Sequence, residues 1–290
     1  MIKHLNKKSS NPNRVIVLGA GGFVSSKVSQ KLVGKKISVL NLTRKDLDLT
    51  KNESVKKLIK IINNEDTLFF AAAKAPVKNH EMFLQNLLMC KTVVEAISVK
   101  PVNHLVYLSS DAVYSDSKEL ISENSETKPN SLHGLMHLTR EIMLNIPSNK
   151  FFCIVRPTLI YGDNDPHNSY GPNKFFRLAK KNEDIELFGK GEELRDHVCI
   201  EDVAEIVCRL IINKSVGKIN LATGSVISFS QIAREIIKLT KSSSVIKSIK
   251  RNGPMPHNGY RAFNIGCCEK VFSDFRYNFL TEGIKKINLN

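Results

Sequence analysis

The sequence predicts an α/β fold, a doubly wound parallel sheet with a smaller C-terminal lobe, and three observations carry that expectation. Short apolar, β-branched runs alternate with amphipathic stretches up to about Tyr161. A glycine-rich turn joins the first of these runs to the first helical stretch, at Gly19 and Gly22. Beyond Tyr161 the alternation loosens into Gly-, Pro- and Asn-rich segments, which suits a lobe added at the carboxyl ends of the strands.

Taken in order, residues 1–13 (MIKHLNKKSSNPN) read as a flexible basic lead-in. RVIVLGA, Arg14 to Ala20, is apolar throughout and predicts a buried parallel strand. SSKVSQKLVG then predicts a helix ending at Gly34, and KISVLNL, Lys36 to Leu42, a second strand. SVKKLIKII is an amphipathic helix, DTLFFAAA a third strand, MFLQNLLMCKTVVEAI a helix and HLVYLSS a fourth strand. A polar loop from Asp111 to Ser131 leads to the helix LMHLTREIML and the strand FFCIVRPT. Repeated strand–helix–strand units require right-handed crossovers and so a parallel sheet. The expected division is a first domain over 14–162 and a second lobe over 163–290, with about 195–222 returning to the first.

Length and composition set the class. The chain has 290 residues, 42% of them hydrophobic and 24% charged, enough for a substantial core. The formal charge of +15 favours anionic ligands. No aromatic-interleaved basic patch or zinc-finger spacing accompanies it, so nucleic acid is not expected as a partner. Six cysteines without CxxC spacing suit reduced, buried thiols. The basic N-terminus lacks an apolar signal core, and no run of about 18 apolar residues occurs. The expectation is a cytoplasmic protein with no membrane association.

The first strand runs into LGAGGFVSS. Glycines there let the backbone approach a pyrophosphate, and the next helix offers unpaired N–H groups and a positive dipole end. The strand before and helix after raise this above a bare glycine pattern. At the end of the second strand, where NAD-binding folds place an acid for the ribose, the chain has Asn41, with Arg44 beyond it. An arginine suits a 2′-phosphate, so NADP(H) is favoured, with NAD(H) the alternative.

The turn, with Gly19, Gly22 and Ser25, resembles the GxxGxxG turn of extended short-chain dehydrogenases/reductases. Further blocks resemble their NAD-dependent epimerase/dehydratase family, whose members modify nucleotide-sugars on a Rossmann-like sheet. These are FFAAAK (Phe69 to Lys74), SSDAVY (Ser109 to Tyr114), Glu123–Pro129–Gly134–Glu141 in register, RPTLIYG (Arg156 to Gly162) and GKGEELRDHVCIEDVA (Gly189 to Ala204). The resemblance implies cofactor contacts from Gly19, Gly22, Phe23, Val24, Arg44, Asp48, Leu49, Ala71, Ala72, Lys74, Asn86, Ser109 and His137. It implies substrate contacts from Ser110, Asp111, Asn173, Arg195 and Arg261, the last three in a substrate-binding lobe. It also implies a homodimer through a four-helix interface.

The same register puts His133 and His137 where the family's YxxxK supplies Tyr and Lys. Four residues apart on a helix, the two imidazoles share a face, and imidazole is a competent acid/base near neutrality. The expectation is that His133 moves the proton, His137 orients cofactor and Ser110 polarises the substrate oxygen. The competing reading is a catalytically silent protein that binds dinucleotide or nucleotide-sugar as a sensor or scaffold. A zinc site on the histidine pair would need further ligands such as His167 and His197, which the spacing does not support; no metal is expected. The family's dehydratases carry Asp–Glu after the Ser/Thr; here Asp111 is followed by Ala112, which leaves an epimerase or a 4-keto-sugar reductase.

Overall fold

The computed structural model describes residues 2–146, 149–166 and 168–286. They form two compact units. The first comprises 1–115, 123–157 and 204–220, and the second 116–122, 158–203 and 221–290.

In chain order the first unit contains β1 (Lys3–His4), β2 (Val15–Leu18), α1 (Phe23–Gly34), β3 (Val39–Leu42), α2 (Glu53–Ile61), β4 (Thr67–Phe70), α3 (His80–Val99), β5 (His104–Leu108), α4 (Leu132–Leu144) and β6 (Phe152–Pro157). The second opens with β7 (Leu159–Tyr161), α5 (Pro172–Lys180), β8 (Ile185–Phe188) and β9 (Leu194–Cys199). Then α6 (Ile200–Ile212) and β10 (Ser215–Leu221) belong mainly to the first unit, and β11 (Val226–Ser228), α7 (Phe229–Thr240), β12 (Ile246–Ile249), β13 (Tyr260–Arg261), α8 (Gly266–Val271) and α9 (Leu280–Lys285) complete the second.

The first unit is an α/β Rossmann-like layer structure. Its seven-stranded sheet runs β1-β10-β6-β5-β4-β2-β3, and β3, β2, β4, β5 and β6 pair in parallel. Strand periodicity divides the side chains between two faces. Ile16, Leu18, Leu68, Phe70, Leu105 and Tyr107 join one apolar cluster with Leu58 of α2 and Cys90, Val93 and Ala96 of α3. Val17, Phe69 and Val106, the alternate residues, are buried as well. This is why the sequence shows continuous apolar runs rather than alternation: both faces are covered. On α1, Lys31 and Lys35 reach Glu205 of α6, and the Cys208 thiol lies against the Val28 carbonyl.

Where the sequence reads as a flexible lead-in, the backbone of Lys3 and His4 pairs antiparallel with Val216 and Ser215. His4 also reaches the Ser215 hydroxyl, at 2.8 Å. The unpaired edge of β10 offers hydrogen-bonding groups that a short polar segment can satisfy, whatever its hydropathy. By length and composition α3, 20 residues long with an 18-residue stretch of mean hydropathy 1.3, could cross a membrane. Cys90, Val93, Ala96 and Ile97 on one face of it instead pack into the core beside the sheet.

The second unit has its own apolar cluster, in which Phe175 and Phe176 of α5 meet Phe229, Ile232 and Ile236 of α7. Its strands are shorter. Antiparallel β11 and parallel β13 and β7 pair with β9, and β12 pairs in parallel with β8.

Candidate active site

The strand order fixes where a ligand belongs. From β2 the chain goes outward to β3, then crosses back to β4 on the other side of β2. The connections therefore change sides at β2 while the strands stay parallel, and in open α/β sheets ligands bind beyond the carboxyl ends of the strands at such a switch point. Gly19 follows β2 there, at φ +87°, and a Cβ at this position would stand 2.5 Å from the Ala72 Cα. Only glycine fits. Gly21, at φ +93°, has open space around it.

Ser25, in the third position of the turn, is almost fully buried and donates its hydroxyl to the Gly19 carbonyl at 2.6 Å. The serine thus latches the turn. Helix α1 starts at Phe23 with Gly22 as its N-cap, without a side-chain cap and without an acid in the first turn. The Phe23 and Val24 amides and the dipole end suit an anion. A backbone that tolerates no Cβ, followed by an uncapped helix start, fits the pyrophosphate of a nicotinamide dinucleotide.

Around the turn, the other expected cofactor residues are largely engaged with protein groups. Asn41 accepts from Ser29 (2.9 Å), and the exposed Arg44 donates to Asp48 at 3.2 Å. Hydrogen bonds from Thr50 hold the Asp48 carboxyl below its usual range. Leu49 is buried, and its carbonyl accepts from Thr92. Asn86, fully buried, clasps both the N–H and the carbonyl of Lys74 at 3.0 Å, which fixes the segment Ala71–Lys74 after β4. Ser109 donates to Glu141 (2.5 Å), and Glu141 pairs with Arg156 through both oxygens, all three buried. Arg156 also donates to the Tyr114 hydroxyl, which donates to Asn220.

The start of α4 is set by two small residues. Ser131 caps it by accepting from the Gly134 amide at 3.1 Å. Gly134 lies so close to the turn Asp111–Val113 that a Cβ would collide with the Ala112 carbonyl oxygen. This approach brings His133 within the field of Asp111. Ser110 in that turn accepts from the Ala112 amide at 3.1 Å and lies 3.4 Å from the Asp111 carboxylate.

His133 and His137 stand edge to face, ring centroids 4.8 Å apart. The Val77 N–H makes a long contact of 3.5 Å to His133 Nδ1, and His137 Nδ1 lies 2.8 Å from the Tyr107 hydroxyl. Burial lowers the pKa of both imidazoles; Asp111 partly offsets this at His133, whereas His133 and Arg140 reinforce it at His137. Both shifts favour the neutral imidazole at pH 7. Among the described residues no group of three or more His, Cys, Asp or Glu could hold a metal ion; His167 lies outside them.

The profile of the NAD dependent epimerase/dehydratase family matches residues 15–222. The chain belongs to this family. A trifunctional UDP-glucose 4,6-dehydratase/UDP-4-keto-6-deoxy-D-glucose 3,5-epimerase/UDP-4-keto-L-rhamnose-reductase of Arabidopsis thaliana is 25% identical over 272 residues, 80% of this chain but only 40% of that protein. A GDP-L-fucose synthase of Sinorhizobium fredii is 24% identical over 83% of this chain and 84% of its own length. Among solved structures, the UDP-glucose 4-epimerase of Thermus thermophilus in complex with NAD superposes with a TM-score of 0.82 at 21% identity, covering 94% of this chain and 96% of that one. A GDP-L-fucose synthetase of Naegleria fowleri bound to NADP gives 0.82 at 16%, covering 98% and 95%.

The three family-matched residues of the second unit are each held by protein groups. Asn173 is buried, and its amide bonds both the N–H and the carbonyl of Gly162, at 3.1 and 3.0 Å. Arg195 pairs with Glu193 at 3.0 Å, while its buried Nε has no partner among the described residues. Arg261, 1% exposed, lies 3.4 Å from Asp116 and 3.1 Å from His257 Nδ1. Two residues packed behind the histidine pair, Tyr107 and Arg140, carry no role in the reading from sequence. Tyr107 is hidden in an apolar strand run. Arg140 had a signal: it lies three residues after His137 and seven after His133, on their helix face.

Proposed function

We propose that this family member is a nucleotide-sugar epimerase or 4-keto-sugar reductase, with His133 as the proton-moving group. The half-buried imidazole of His133, at the start of α4 and within the field of Asp111, carries this reading. A bound nicotinamide dinucleotide supplies hydride acceptance and donation. Gly19, Gly22, Phe23 and Val24 would hold its pyrophosphate, and Ala71, Ala72, Lys74 and Asn86 would shape the adjoining wall. Asn41 and Arg44, in place of a ribose-binding acid, favour NADP(H) over NAD(H).

A neutral His133 accepts a proton from a sugar hydroxyl, oriented by Ser110. The imidazolium so formed is stabilised by Asp111 and can return the proton to the carbonyl oxygen. That sequence favours epimerisation over net reduction, because reduction has to begin from a protonated ring whose pKa burial has lowered. Arg195, Arg261 and Asn173 are proposed to receive the sugar diphosphate, for which guanidinium is well matched. Exposed Leu84, Leu88, Leu135 and Ile142 on α3 and α4 support a homodimer through these helices.

The second reading, a silent binding protein, draws support from the engagement of Ser109 with Glu141 and of His137 with Tyr107. Turnover separates the two. Nucleotide-sugar epimers and 4-keto-sugar nucleotides are assayed with the parent and with His133→Ala. The expected result is parent activity that falls on the order of 10²–10⁴-fold in the variant. Full activity in His133→Ala would remove His133 from the mechanism; dinucleotide binding with no turnover in the parent would establish the binder.

A further inference from the structure

Three buried groups line up behind the histidine pair. The Arg140 guanidinium, 0% exposed, lies over the Phe70 ring at 4.2 Å and against the Tyr107 ring at 5.2 Å, and donates to the Ala72 carbonyl at 2.9 Å. Tyr107, also 0% exposed, stands between it and His137, with its hydroxyl 2.8 Å from Nδ1. No carboxylate forms an ion pair with Arg140 among the described residues, so aromatic faces and a backbone carbonyl receive this cation.

The hydrogen bond between Tyr107 and His137 could run either way, and the surroundings decide its direction. Arg140 has only donors, and with its guanidinium 5.2 Å from the Tyr107 ring its field favours a phenol that turns its oxygen, not its proton, towards the cation. The phenol proton is then left to point at His137. Burial also pushes the Tyr107 phenol well up, so it keeps that proton. An imidazolium at 137 would face Arg140 from its own helix, with His133 beside it, and neither favours a second charge. Cys90 and Glu141, which also act on Tyr107, complete the titratable surroundings.

We propose that Tyr107 is a positioning residue that donates to His137 Nδ1 and locks His137 as the neutral Nε2–H tautomer, with Arg140 as the buried cation that orients the phenol. His137 is then a fixed hydrogen-bond donor through Nε2 and takes no part in proton uptake, which falls to His133 alone. This deepens the reading of the site given above: a donor at 137 suits an acceptor oxygen such as a ribose hydroxyl. The tautomer itself can be measured without any cofactor or turnover.

The test is nitrogen NMR of ring-labelled histidine in the full chain, with the 137 signals assigned by His137→Gln. The expected spectrum has one protonated ring nitrogen, Nε2, and one unprotonated, Nδ1, with no titration of this ring from about pH 8 to about pH 5. Tyr107→Phe should convert the single tautomer to a mixture, and Arg140→Met, by freeing the phenol to turn and accept, should let the Nδ1-protonated form appear. A parent ring with Nδ1 protonated, a doubly protonated ring at neutral pH, or a Tyr107→Phe spectrum unchanged at 137 would each overturn the proposal. The parent spectrum decides even if a variant does not fold. A correct tautomer in a protein without turnover would leave this inference standing while the catalytic reading fails.

Discussion

The glycine turn after β2 and the start of α4 are both helix entrances beside the sheet, yet they are built from different materials. At the turn, backbone does the work: Gly19 presses on Ala72, and α1 presents bare amides. At α4, side chains do it: Ser131 and Gly134 set the helix in place, and two imidazoles, a phenol and a guanidinium pack together along it. A backbone site depends on what is missing from the side chains and survives exchange among small residues, as Ser25 shows. A side-chain site changes character with each replacement, and its surroundings must change with it.

The comparison can be broken most forcefully at Gly19. Gly19→Val combines a left-handed backbone with collision against Ala72, so a loss of about 3–6 kcal/mol in stability is expected. Dinucleotide binding should vanish in whatever remains folded, read by thermal melts with and without cofactor. If Gly19→Val binds normally, the turn is not the pyrophosphate site.

Removing the support of α4 should cost nearly as much. Arg156→Met leaves Glu141 buried without its cation and strips a donor from Tyr114, for an expected loss of about 3–5 kcal/mol. Urea unfolding checks this, and a loss below about 1 kcal/mol would show that α4 does not lean on the pair.

Acid should sharpen the contrast between the two entrances. His133 and His137 have folded-state pKa values below 6.5, and His104 on β5 is lowered to about 4 by burial. For histidines lowered in this way, stability is complete above the unfolded value near 6.5 and is lost as pH falls below it, because the unfolded chain takes up protons first. Each such group contributes up to about 1.4 kcal/mol per pH unit through this window. Hydrogen exchange at pH 7 and pH 5 should show α4 and β5 loosening while α1 changes little. Equal loosening of α1 would argue against the distinction.

The smallest effect belongs to the latch. Ser25→Ala deletes the buried hydrogen bond to the Gly19 carbonyl, for about 1 kcal/mol and a modest weakening of dinucleotide binding.

The parallel sheet was legible because strands covered on both faces read as unbroken apolar runs, and the turn because glycine leaves few other readings. Fold and family follow from such blocks. The first strand, Lys3–His4, was not legible, since a two-residue edge segment carries no hydropathy pattern. Nor was the engagement of the expected site residues with protein groups. Asn86 with Lys74 and Asn173 with Gly162 are pairings between a helix and the loop before it that spacing does not encode. The histidine pair, and Arg140 on the same helix face, could be read from spacing; the phenol behind them could not, because Tyr107 reaches His137 from a strand 30 positions earlier in the chain.

The burial of Arg140 has a consequence for protein engineering. Writing tyrosine and lysine into positions 133 and 137 would set an ammonium close to a guanidinium that water cannot reach. Such an exchange is expected to be epistatic: the lysine becomes tolerable once Arg140 is exchanged for an uncharged residue. A library that varies the two histidines alone would therefore report the site as immutable, when the obstacle sits one helical turn away.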